Sequence, residues 1–185
     1  MIVSLSFIAL CFILDLIIGT MLPHSFIPGD IAVTSCLGLS AFVLSQRKMN
    51  NLDAFLISVI IGLCYDFFVA HSFLTCTFVF VIIYVLVSFW QYHITDSIFE
   101  NCLLVFTTIF VKEYLVYFFM SLSQETFMSL STWLTTRCFL TLLLNSIFVV
   151  VIVLLSRLFE DMKLMREKRI RKEESISWWK ISSKL

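Results

Sequence analysis

The chain is a succession of long apolar runs broken by short polar stretches. Six apolar segments can be drawn, at roughly 2–22, 29–46, 54–70, 73–91, 98–120 and 138–157. A helix needs about 20 apolar residues to cross a hydrocarbon core, with a range of about 17–25, so each segment is predicted to be a transmembrane helix. The second and third are at the short end, which implies little tilt or a locally thinned bilayer. The runs lack the period-two alternation of barrel strands, and backbone groups in lipid must be satisfied within the segment, so helices are the expected solution. Pro23 and Pro28 bracket the first loop, where a helix must end. The longest loop, about 121–137, is rich in Ser and Thr and is expected to hold a short interfacial helix from Phe127 to Trp133. The fold class read from this pattern is all-α: one bundle of six transmembrane helices over residues 1–157, followed by a tail over 158–185.

Composition strengthens that reading. Of the residues, 60% are hydrophobic and only 14% are charged, and the mean hydropathy is +0.99. This is the composition of an integral membrane protein, with no room for a soluble catalytic module. The formal net charge of zero hides an asymmetry, because nine of the 13 Lys and Arg residues lie between Arg157 and Leu185. With no folded surroundings, that basic tail reads as a cytoplasmic anchor rather than a nucleic-acid site. Arg47 and Lys48 follow the second segment, and placing them inside with the tail puts both termini in the cytoplasm; Arg137 then falls outside, against the pattern. The N-terminus has no basic n-region or small-residue cleavage site and carries Asp15, so it reads as a retained helix. The six cysteines are scattered singly through apolar runs, as small buried hydrophobes are.

Threading the helices places Asp15, Asp66, Lys112 and Glu113 in the outer half of the bilayer, with Asp30 and Arg137 at the outer starts of the second and sixth spans. A charge at a helix centre costs about 2.5–3.5 kcal/mol on insertion scales, so several at one depth imply a shared polar cluster. Lys112 is expected to pair with Asp66, Asp15 or Glu113, with Asp66 the first choice. Helix-to-helix pairing, and binding of a partner or ligand, are both open uses of such a cluster. Gly62 and Asp66 lie four apart on one helical face, where glycine admits a neighbouring helix and the carboxylate meets a partner across the contact; Asp15 and Gly19 repeat the arrangement. The serines and threonines of the spans are expected to hydrogen-bond neighbouring helices.

Catalytic signatures are missing. The three histidines, His24, His71 and His93, have no ligand-spaced neighbours, and no nucleophile elbow or glycine-rich phosphate loop occurs. No enzyme activity, metal or cofactor is expected. In the tail, Lys168, Arg169, Arg171 and Lys172 with Trp178 and Trp179 suit attachment to an anionic membrane surface; contact with a cytoskeletal partner is the alternative.

The stretch "IIGLCYDFFVAHSFLTCTFVFVIIYVLVSF" resembles the third and fourth spans of the MreD family of bacterial rod-shape-determining membrane proteins, through Gly62, Leu63, Asp66 and Leu74. "FIPGDIAVTSCLGLSAFVLSQ" is similar to the Pro-x-Asp that opens that family's second span, at Pro28 and Asp30. Where the family often has glycine in the turn after the aspartate, this chain has Ala70 and His71. The resemblance implies a non-enzymatic scaffold in the bacterial cytoplasmic membrane that supports cell shape and lateral-wall peptidoglycan synthesis. Its implied partners are MreC, MreB, RodA and the transpeptidase that accompanies RodA. The same resemblance implies a bundle similar to the substrate-binding components of energy-coupling-factor transporters, which supplies the alternative of a small-molecule (vitamin-type) transporter subunit. Such subunits dock their coupling protein through an alanine-x-x-x-alanine-like stripe on the first helix, and "SLSFIALCFILDLIIG" has no clean copy of it.

Overall fold

The computed structural model describes residues 2–22, 32–70, 74–91, 97–124 and 126–182, giving only the backbone of residues 2, 3, 69, 70, 163, 166, 167, 170 and 172–182. Within them the chain is helical: α1 Ile2–Met21, α2 Leu37–Gln46, α3 Asn51–Tyr65, α4 Thr75–Trp90, α5 Ile98–Leu122, α6 Leu130–Trp133 and α7 Phe139–Ser182. A π-helical turn, Asp66–Ala70, extends α3, and a second, Leu134–Cys138, joins α6 to α7. Four stretches are long and apolar enough to cross a membrane: Ser4–Met21, Asn51–Phe68, Ile98–Leu122 and Leu130–Met162. The protein is accordingly an all-α membrane protein.

The membrane helices sort their residues by lipid and by neighbour. On α1, Leu10, Ile13, Leu14 and Ile17 are exposed, whereas Ile8, Cys11 and Asp15 are buried. That is the i, i+3, i+4, i+7 geometry of one inward face, with the aliphatic side chains turned outward to lipid. The short apolar helix α2 is the most enclosed: every residue from Leu37 to Leu44 is buried. Phe42 on α2 meets Phe80 on α4, and the surrounding core draws on Ile83 and Val87 of α4, Val105 and Ile109 of α5, and Val149 and Val153 of α7.

Polar contacts fix the two ends of the bundle. At one end, Arg47 Nη1 donates to Asn101 Oδ1 at 2.5 Å, Lys48 pairs with Glu160, and Gln46 Nε2 donates to the Tyr84 carbonyl at 2.9 Å. The loop after α2, the start of α5 and the later part of α7 therefore meet. Asp15, Asp66, Glu113 and Arg137 belong to the opposite end.

Two sequence expectations are revised. The second segment, read as one helix over 29–46, is not helical over its described residues 32–36, and helix begins at Leu37. The loop expected over 121–137 is shorter, because helix resumes at Leu130 and runs unbroken into α7, so Arg137 sits within a helix. The tail is the continuation of α7, and at 1.5 Å per residue its backbone carries positions 178 and 179 roughly 24 Å along the axis past Met162. The side chains of Lys172, Trp178 and Trp179 lie outside the described residues, as do Asp30, Pro23 and Pro28.

At Gly62, α3 and α4 approach closely. A Cβ built there would lie 2.5 Å from Thr77 Cα and 3.1 Å from Thr77 N, so backbone would have to move. Gly19 has nothing within 4 Å, which removes it from the pairing with Asp15 that its spacing predicted. Gly62→Ala is expected to lower the unfolding free energy of the detergent-held protein by about 1–3 kcal/mol, as overpacking does. Gly19→Ala should leave it unchanged; equal effects from the two would show that the close approach is not what Gly62 provides.

Candidate functional site

Helices begin with amide N–H groups that have no intrahelical acceptor, and in lipid no water satisfies them. Two helices here solve that problem in the same way. Asp15, on α1, accepts from Leu37 N at 2.8 Å through Oδ1 and from Gly38 N at 2.7 Å through Oδ2. Asp66, at the start of the π turn, accepts from Cys76 N at 2.7 Å and Thr77 N at 2.9 Å. Each carboxylate also takes a hydroxyl, from Tyr65 in the first case and from Thr77 Oγ1 at 2.7 Å in the second. A negative charge at a helix N-terminus also meets the positive end of the helix dipole. Neither N-cap residue, Cys36 or Leu74, caps through its own side chain; the cap comes from the preceding helix. Leu74 itself is held at φ 62°, the left-handed region where glycine is at ease, at a cost of about 1–2 kcal/mol.

The irregular stretch before α2 is satisfied by side chains from distant helices. Asn145 Nδ2 donates to the Thr34 carbonyl at 2.8 Å, while its Oδ1 accepts from Cys36 N at 2.9 Å. Thr34 N donates to Thr141 Oγ1 at 3.4 Å. Non-helical backbone away from water is tolerated where protein encloses it and satisfies its polar groups, and Ala32 and Cys36 are buried.

Beside this stretch stands an ionic cluster. Lys112 Nζ contacts Glu113 Oε1 at 2.8 Å and donates to Thr34 Oγ1 at 3.1 Å and to Cys36 Sγ at 3.5 Å. Thr34 Oγ1 in turn donates to Glu113 Oε1 at 2.9 Å. Arg137 Nε reaches Glu113 Oε2 at 3.3 Å, and its guanidinium lies 4.6 Å from the centre of the Trp133 ring. Glu113 is thus a buried carboxylate held between two cations, the arrangement that makes a charge tolerable in low dielectric.

The structure brings Asp15, Lys112, Glu113 and Arg137 into one network around residues 34–38. Of the three partners expected for Lys112, the structure selects Glu113 rather than the first choice, Asp66, which holds the start of α4. Sequence reasoning missed Thr34, Cys36, Tyr65, Thr77, Thr141 and Asn145. Asn145 had a visible signal, as a single amide inside the run "LTLLLNSIFVVV". Nor do most hydroxyls of the spans bridge helices. Ser58, Thr107, Thr108, Ser146 and Ser156 bond backbone carbonyls of their own helices, the usual outcome when a carbonyl three or four residues back is nearest.

Glu113→Gln is expected to cost about 3–5 kcal/mol in unfolding free energy, because two buried cations lose their counter-charge. Adding Lys112→Met should recover part of that loss. Lys112→Met and Asp66→Asn, in contrast, should add within about 0.5 kcal/mol. A coupling between Lys112 and Asp66 as large as that between Lys112 and Glu113 would contradict the geometry.

Among known proteins, no family model, no characterised protein and no solved structure matches this chain, so its site geometry and the motif resemblance carry the functional reading.

Proposed function

We propose that this protein is a non-enzymatic integral-membrane scaffold of the bacterial cell-elongation machinery, helping to maintain cell shape and lateral-wall peptidoglycan synthesis. The observation that carries this reading is how the intramembrane carboxylates are used. Both oxygens of Asp15, of Asp66 and of Glu113 are engaged by donors of the chain itself. Groups so engaged hold helices in register; a general acid, base or carrier needs a group that turns toward substrate. The resemblance of the segment containing Gly62, Leu63 and Asp66 to the MreD family supplies the biological setting, and with it MreC, MreB, RodA and its transpeptidase as partners.

Six crossings, with both termini in the cytoplasm, complete the proposal. The ten residues of α2 cover only about 15 Å, but the five irregular residues before them add up to about 16 Å, so together they match a hydrocarbon core of about 30 Å. The 16 residues of α4 cover about 24 Å and fit a thinned bilayer. Arg47 and Lys48 then face the cytoplasm with the tail, as the positive-inside rule requires. The irregular stretch before α2 also favours a second reading, a substrate-binding subunit of a vitamin-type transporter, because unwound backbone builds midplane sites in that class. Against it, the backbone groups of the break are bonded to Asn145, Thr141 and Asp15 rather than presented to a ligand.

Purification from native bacterial membranes, with co-isolated proteins identified, separates the two readings. Wall-synthesis proteins are the expected companions; a coupling subunit driven by an ATPase would overturn the scaffold. For topology, Ser123→Cys should react with an impermeant thiol reagent in intact cells and Asn50→Cys should not, each in a background without the native cysteines. The reverse pattern would invert the orientation.

A further inference from the structure

One face of α7 belongs to the bundle: Val149, Ile152 and Val153 are buried, and the Phe159 ring lies 5.1 Å from that of Phe7. The opposite face carries Val151, Leu155, Leu158, Met162 and Met165, all of them exposed. Their spacing alternates four and three residues, the apolar seam by which two helices supercoil about each other. Lipid accounts for such residues only inside the hydrocarbon core, which about 20 residues of helix span. The helix runs for 44 residues, and past Arg157 its sequence turns charged. Leu158, Met162 and Met165 are nevertheless 58%, 53% and 64% exposed there. A helix that continues beyond its bundle gains most of its stability by packing an apolar face, so this seam calls for a partner.

The charges beside the seam say which partner. Asp161 and Lys168 flank it on one side, and by register Arg166 and Glu173 flank it on the other. In a parallel pair of helices, a residue on the first flank lies against the residue five positions further on in the other helix. Asp161 thus comes opposite Arg166 of a second copy, and Lys168 opposite Glu173, with opposite charges in both cases. Two copies inserted in one membrane run their α7 helices in the same direction, the parallel arrangement that this pairing needs. We infer that two copies of the chain associate through α7, with the apolar seam at the centre and these ion pairs along its edges. Arg169 and Lys172 stand at later seam positions, where charge costs stability and fixes the register of the pair. The inference depends on the chain lying in a bilayer and not on the elongation reading.

The test is disulfide cross-linking of the full-length protein in liposomes containing phosphatidylglycerol, in a background without the native cysteines. Met162→Cys, on the seam, meets the same position of a second copy and should cross-link into a dimer. Leu164→Cys, exposed but off the seam, should not. Asp161→Lys sets like charges against each other at both edges and should cut the Met162→Cys cross-link about fivefold. Adding Arg166→Asp restores opposite charges and should restore the cross-link. Equal cross-linking at positions 162 and 164, or none at either, would overturn the pairing. So would a charge swap that restores nothing. Shielding of Met162→Cys from a water-soluble maleimide without a cross-link would give the seam to the lipid surface and overturn the dimer as well.

Discussion

A helix that starts in an apolar interior must find acceptors for its first amides, and this structure depends on how two aspartates meet that need. Asp15 receives Leu37 N and Gly38 N, and Asp66 receives Cys76 N and Thr77 N. In each case the carboxylate sits on the helix preceding the one it caps, so α1 is fastened to α2 and α3 to α4. The close approach at Gly62 and the Tyr65 hydroxyl bond to Asp15 tie these two hairpins to the same scheme. Without these acceptors, the short helices α2 and α4 would expose orphan amides to lipid, each at a cost of several kcal/mol.

From this constraint the remaining polar groups follow. Once α2 begins at Leu37, the backbone before it needs partners, and α7 supplies them through Thr141 and Asn145. Thr34, held in that way, offers its hydroxyl to Glu113, which is the acceptor for Lys112 and Arg137. The hydrogen bonds form one continuous chain from α1 through the break to α5 and α7. Such a network fixes which helix lies beside which, a property that matters for a scaffold and that lipid-facing leucines cannot supply.

Much of this was legible in the sequence, and the part that was not has a physical reason. Apolar run length located α1, α3, α4 and α5 because hydropathy and helix length are both local. Gly62 and Asp66 could be placed on one face by spacing alone. The irregular stretch before α2 was invisible because Ala32, Val33 and Cys36 are as apolar in irregular backbone as in a helix, and the partners of Thr34 and Cys36 on α7 lie more than 100 residues away. Among the carboxylates open to Lys112, Glu113 ranked below Asp66 because adjacent residues on a helix do not normally face each other. Here a long side chain on α5 folds back to its neighbour, guided by Thr34. Arg137 looked like the end of a loop because the Ser and Thr around it are common in loops; in the structure several of them bond backbone carbonyls of the helix they occupy.

Amide hydrogen exchange tests the central claim most directly, because it reads the capped N–H groups themselves. The measurement compares the wild-type protein with Asp15→Leu in lipid nanodiscs, following peptides that cover residues 34–40 and 74–80. Loss of the carboxylate should speed exchange at Leu37 and Gly38 by about tenfold or more, while Cys76 and Thr77, held by Asp66, keep their protection. Unchanged protection of Leu37 and Gly38 in Asp15→Leu would mean that the aspartate does not hold the start of α2, and the account would fail.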